Sequence, residues 1–74
     1  MTGLGVVLFH TTSSALRAEK VLLGAGLRVK LIPTPRQFSS DCGLALRFDW
    51  EQVEAVRGRL EEAGAEYAEV RALE

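Results

Sequence analysis

The chain has 74 residues, of which 47% are hydrophobic and 26% are charged, and its formal net charge at pH 7 is -1. A chain of this length forms one domain, and a composition so close to the globular average argues against disorder. Its nine basic and ten acidic residues are interleaved, so we expect no nucleic-acid partner. No apolar run approaches the roughly 20 residues that span a bilayer, and no basic signal segment precedes the first strand, so we expect a cytoplasmic protein without a membrane partner.

The chain contains one cysteine, Cys42, and one histidine. A lone cysteine cannot form an internal disulfide, so Cys42 is expected to be a free thiol in a reducing compartment. Two such residues cannot supply the three or four ligands of a zinc site, and we expect neither metal nor cofactor. A domain this small buries a modest core, and we therefore expect self-association, most simply as a dimer.

The first half of the chain predicts a strand, a helix and a second strand. Residues 4–9 form an unbroken apolar run, which is typical of a central strand buried on both faces. Residues 10–13 then supply hydroxyls for a helix N-cap, and apolar residues at three- and four-residue spacing continue the helix to the glycines at 24 and 26. Residues 27–32 alternate polar and apolar and predict a half-exposed strand that ends at Pro33.

The second half predicts the same order of strand, helix and strand. Residues 43–48 predict a third strand with one core face, and Asp49 with Gln52 indicates a capping box for a helix that ends at Gly64. Residues 65–72 predict a charged edge strand. The order βαββαβ predicts an α+β fold, a single ferredoxin-like sandwich over residues 1–74. Its four antiparallel strands lie in the order 4-1-3-2, with both helices on one face.

Two aromatic residues are expected in the core or at an interface. Trp50 lies in the first turn of the second helix. Tyr67 would lie on the open face of the sheet if Val70 faces the core, and an exposed aromatic there would favour dimerisation through that face.

The loop at 33–43 is longer than most strand connections, and such loops are disproportionately functional. In the predicted topology it lies at the same end of the sheet as the start of the first helix. The positive end of a helix favours thiolates, persulfides and other anions, whereas Asp41 would oppose them. Gly43 would leave the sulfur approachable. The candidate site consists of the carrier thiol Cys42 and the binding residues His10, Thr12, Ser13, Arg36, Ser39, Ser40 and Gly43.

The same loop carries a resemblance to a known family. Together with the capping stretch 12–16 and the helical segment 18–20, it resembles the selenium/sulfur carrier protein-like family of small bacterial domains over nearly the whole chain. The resemblance implies that Cys42 carries persulfide sulfur or selenium between a donor and an acceptor protein, as a carrier rather than a turnover enzyme. The motif residues are Pro33, Pro35, Arg36, Ser39, Cys42 and Gly43, followed by Ala45 and Phe48.

A second hypothesis assigns the loop no chemistry. Cys42 would then be a small buried residue at the top of the third strand, because free cysteines are among the most buried residue types. His10 would be a satisfied strand-end histidine, Arg36 a solvated charge, and the two serines turn formers. The protein would be an interaction or redox-sensing module that binds an anion or a partner protein through residues 33–43.

Overall fold

The computed structural model describes residues 3–38 and 42–73. It confirms the predicted fold: the strands form one antiparallel sheet in the order β2-β3-β1-β4. Neither helix in the described ranges is long and apolar enough to cross a membrane. The elements in chain order are β1 (Leu4–Leu8), α1 (Thr12–Gly24), β2 (Val29–Pro33), β3 (Leu44–Asp49), a 3-10 turn (Trp50–Gln52), α2 (Val53–Glu62) and β4 (Glu69–Ala72).

The second strand begins two residues later than the alternation predicted, because the chain is still closing α1 there. Gly26 has a φ of 83°, and the N–H of Leu27 donates to the carbonyl of Leu22 at 3.0 Å. This is the left-handed glycine ending that satisfies the last carbonyls of a helix. Leu27 packs against the core but pairs with no strand, and the ladder with β3 starts at Val29.

The predicted capping box at the second helix is wrong. The side chain of Asp49 makes no capping hydrogen bond, and a three-residue 3-10 turn separates it from α2. The N–H of Trp50 instead donates to the carbonyl of Gly3 at 3.0 Å. This bond leads the chain directly from β3 into the turn and places the Trp50 ring beside the start of β1.

The sheet buries side chains on both faces. Toward the helices, alternate residues of β1 and β3 pack with both helices in the main core. On the other face, Val6, Leu8 and Ala45 form a second buried cluster, and Phe38 from the loop packs against it. The Arg71 guanidinium lies 5.2 Å from the centroid of the Phe38 ring, within the range of a cation–π contact. The open face is therefore partly covered by the chain's own loop.

The predicted placement of Tyr67 on the open face is wrong. Tyr67 packs against the main core on the helix side, and its hydroxyl donates to Oε2 of Glu61 on α2 at 3.0 Å. The reason is that β4 pairs only from Glu69, so the alternation that fixes Val70 does not extend back to residue 67. Self-association, which was predicted from the small size of the core, stays a prediction, but Tyr67 no longer supports dimerisation through the open face.

Replacing Tyr67 with phenylalanine is expected to remove a pH-dependent contribution to stability. Burial, the hydrogen bond to Glu61 and the charge of Glu61 raise the pKa of Tyr67 above its ordinary value of 10.0, and Arg57 partly offsets them. A raised pKa favours the protonated phenol in the folded state, so its contribution is complete below about pH 10 and is lost as the pH rises further.

Urea unfolding at two pH values measures this contribution. We expect Tyr67→Phe to cost about 0.5–1 kcal/mol at pH 8, the worth of a partly exposed hydrogen bond, and less near pH 11. Absorbance titration of the chain's single tyrosine gives its pKa directly. A wild-type tyrosine that titrates at or below 10 would contradict the prediction.

Candidate functional site at the start of helix α1

Cys42 lies at the helix-facing side of the sheet and is 4% exposed. It extends the inward alternation of Leu44, Leu46 and Phe48 by one position, because every second residue of a strand shares a face. Thr34, the residue directly after β2, holds Cys42 in place: its hydroxyl donates to the Cys42 carbonyl at 2.9 Å. The N–H of Thr34 also donates to the Gly43 carbonyl at 2.9 Å. The position of the sulfur is thus fixed by an extension of the β2–β3 pairing.

Two polar groups lie close to the Cys42 sulfur. The N–H of Leu44 donates to Sγ at 3.3 Å, and Oγ1 of Thr12 lies 3.9 Å from Sγ. Thr12 is the first residue of α1, whose cap is the Thr11 hydroxyl oxygen, which accepts from the N–H of Ser14 at 3.1 Å. The sequence-based prediction that the sulfur lies near the start of the first helix is therefore confirmed. The sulfur thus has a backbone N–H and the first turn of a helix beside it.

The structure places Ser13 on a different side of the helix from Thr12. Ser13 is exposed and lines a depression with Arg17, Gly64 and Glu66, near the point where Nη2 of Arg17 donates to the Ala63 carbonyl at 3.1 Å. The sequence predicts both as binding residues, and of the two it is Thr12 that contacts the sulfur.

The other predicted binding residues that the structure describes are all exposed. His10 is exposed just after β1, and Arg36 is exposed in the turn in which the N–H of Phe38 donates to the Pro35 carbonyl at 3.1 Å. Gly43 is exposed, and a Cβ there would meet open space, so the structure gives no steric reason for glycine. Ser39 and Ser40 lie outside the described residues, as does Asp41.

Sequence reasoning missed Thr34, Phe38 and the N–H of Leu44. The predicted strand pairing contained a signal for Thr34, because a residue just after β2 must lie opposite a residue just before β3. Phe38 also had a signal, since a large apolar side chain in a polar loop needs a surface to cover. Nothing in the sequence indicated the Leu44 contact, because every residue except proline has a backbone N–H.

The described residues contain no group of three or more histidine, cysteine, aspartate or glutamate side chains placed to hold a metal ion. Near Cys42 the structure describes the backbone N–H of Leu44, which donates to the sulfur, and the Thr12 hydroxyl. A backbone N–H is a donor and cannot ligate a cation.

Comparison with known proteins gives one family. The model of the family described as "Putative Se/S carrier protein-like" matches residues 4–71, a range that includes α1, Thr12, the whole loop and Cys42. Neither the curated proteins nor the solved structures give a match. The family match covers all but the ends of the chain, in agreement with the resemblance in the loop. The chain therefore belongs to the selenium/sulfur carrier protein-like family.

Proposed function

We propose that the protein carries a sulfane sulfur or selenium atom on Cys42 between a donor and an acceptor protein. The observation that supports this most directly is the placement of Sγ, 3.3 Å from the N–H of Leu44 and 3.9 Å from the Thr12 hydroxyl at the start of α1. A carrier must stabilise a thiolate before loading and a persulfide anion afterwards. Fixed donors at a helix N-terminus serve both forms.

The transfer consists of two thiol exchange steps. The Cys42 thiolate attacks the outer sulfur of a donor persulfide, a Sγ–S bond forms, and the donor S–S bond breaks so that the donor leaves as a thiolate. An acceptor nucleophile then attacks the outer sulfur of Cys42–S–S⁻, and the Sγ–S bond breaks to restore the Cys42 thiolate. The sulfur moves at a constant oxidation level, so neither step needs an external oxidant or reductant. A selenium atom would follow the same two steps.

The exposure of Cys42 constrains how this exchange takes place. At 4% exposure the residue belongs to the core, so a donor or acceptor reaches Sγ only when the surrounding chain opens locally. The Leu44 N–H belongs to the first residue of β3 and so stays with the strand during such an opening. Partner docking at the loop end of the sheet would supply the opening.

Intact-mass analysis after incubation with a cysteine desulfurase and free cysteine tests the proposal. We expect the wild type to gain about 32 Da, the mass of one sulfur, in a form removed by dithiothreitol. Cys42→Ala is the control and should gain nothing. Absence of the adduct from the wild type, after loading of a known persulfide carrier in the same mixture, would contradict a sulfur-carrier function.

The burial of Cys42 also favours a second function, that of an interaction module in which the cysteine is structural. The main core includes Cys42 together with Ala15, Ala18 and Leu46, the environment of an inert thiol. Alkylation by iodoacetamide separates the two functions. A carrier should react in the native state, through the same local opening that admits its partners. A structural cysteine should react only after denaturation.

A further inference from the structure

We propose that the depression at the far end of the sheet from Cys42 binds a phosphate monoester. It has a volume of about 230 Å³, and its lining includes Leu4, Arg28, Lys30, Arg47 and Asp49. Leu4 begins β1, Arg28 directly precedes β2, Lys30 lies near the beginning of β2, and Arg47 and Asp49 lie at the end of β3. At about 3.3 Å per strand residue, this end lies about 20 Å from Cys42. The site is therefore separate from the sulfur chemistry.

The cations of this depression form no ion pair within the described parts of the chain. Lys30 and Arg47 are direct partners across the β2–β3 ladder, an arrangement in which like charges destabilise a sheet. The ion pairs among residues 3–38 and 42–73 lie elsewhere, between Arg59 and Glu62 and between Arg71 and Glu69. A chain with a net charge of -1 thus concentrates three cations in one depression whose lining contains one carboxylate.

The composition of the lining favours phosphate over other anions. Three cations against Asp49 leave a local charge of about +2, which matches a phosphate monoester, close to -2 at pH 7. Guanidinium groups bind tetrahedral oxyanions through paired hydrogen bonds, and Arg47 is half-buried in this wall, which strengthens such bonds. Leu4, 38% exposed at the rim, offers an apolar contact for the organic part of an ester.

Thermal unfolding with three added anions tests the site. The probes are inorganic phosphate, phenyl phosphate and succinate at equal ionic strength. The variant is Lys30→Gln/Arg47→Gln, and the charge-matched control is Lys20→Gln/Arg57→Gln, which removes two exposed cations from the helices. Without added anion, the Lys30→Gln/Arg47→Gln variant should unfold at or above the wild-type temperature, because it removes a like-charge pair.

A ligand that binds the folded state raises Tm by mass action. We expect both phosphates to raise the Tm of the wild type and the control by several degrees more than succinate does, with phenyl phosphate the stronger. In the Lys30→Gln/Arg47→Gln variant the phosphates should act no better than succinate. Amide NMR shifts on adding phenyl phosphate should cluster at residues 28–30 and 47–49.

Three results would overturn the proposal. Equal Tm increases in all three proteins would show a general salting effect. An equal effect of succinate and the phosphates on the wild type would show a site that selects charge rather than phosphate. Shifts confined to other residues would place any binding elsewhere. Cys42→Ala should respond to phosphate like the wild type, so this result is independent of the sulfur-carrier proposal.

Discussion

Replacing Gly5 with alanine is expected to destabilise the protein by about 3 kcal/mol. Gly5 lies in β1 directly opposite Phe48. A Cβ on Gly5 would lie 2.5 Å from Cε3 of Trp50 and 2.6 Å from Cζ of Phe48. The two rings stack over the glycine with centroids 6.0 Å apart and an interplanar angle of 21°, an aromatic cover of a strand glycine.

The surroundings of both rings restrain them. Phe48 is fully buried in the main core, and the ring of Trp50 packs against that core while its backbone N–H donates to the Gly3 carbonyl. Alanine restricts the unfolded chain and in an unhindered strand gains about 0.5–1 kcal/mol over glycine. The steric cost of the new Cβ is several times larger than this gain, so the net effect of Gly5→Ala is destabilisation.

Gly3→Ala is the matched control, because a Cβ at Gly3 meets nothing within 4 Å. We expect Gly5→Ala to lower Tm by on the order of 10–20 °C for a domain of this size and Gly3→Ala to leave it nearly unchanged. A double variant with Trp50→Ala should lose less stability than the sum of the two single variants, because the second change removes one of the two rings that the new Cβ meets. Equal Tm values for Gly5→Ala and Gly3→Ala would refute this account of the ring packing.

Thr12→Val is expected to slow sulfur loading of Cys42 about tenfold, equivalent to about 1.4 kcal/mol. Valine keeps the shape of threonine and removes the hydroxyl that lies 3.9 Å from Sγ. The N-cap is Thr11, so the helix keeps its cap. The Leu44 N–H and the helix end remain in the variant, so the loading rate falls only by the contribution of the hydroxyl.

Ser13→Ala is the informative comparison, since the sequence predicted both hydroxyls in one binding set. Ser13 lines the depression beside Arg17 and Glu66, and its loss should change the loading rate by less than twofold. The measurement is the initial rate of adduct formation by intact mass, with Tm recorded for each variant. A Ser13→Ala variant slowed as much as Thr12→Val would show that the helix end acts as a whole.

The sequence was sufficient for the topology because its local signals agree with one another. Period-two and period-3.6 patterns alternate, glycines end both helices, and Pro33 ends β2, so the order and the right-handed connections leave one arrangement. The wrong predictions occur where the alternation in the sequence extends beyond the residues that pair in the sheet. Leu27 continues the alternation of β2 yet still closes α1, and Tyr67 precedes the pairing of β4.

The candidate site was predicted in part. That Cys42 lies near Thr12 follows from topology alone, since the end of β1, the start of α1 and the β2–β3 loop share one end of the sheet. The sequence also contained a signal for the burial of Cys42, because it lies two residues before Leu44 and four before Leu46, on the face of the strand that they share. Distances such as the 3.3 Å from the Leu44 N–H to Sγ depend on backbone geometry that no residue type specifies. The cationic depression was missed because its residues come from three separate strands and meet only through register.

The placement of Cys42 in the core has a consequence for the lifetime of a bound sulfur. Persulfides on exposed thiols are lost to small thiols and oxidants at rates set by collision and thiolate character. A residue that is 4% exposed meets such molecules only during the fraction of time in which its site is open. If the protein is a carrier, the rate at which the bound sulfur is released would then depend on partner docking rather than on the concentration of small thiols and oxidants in solution.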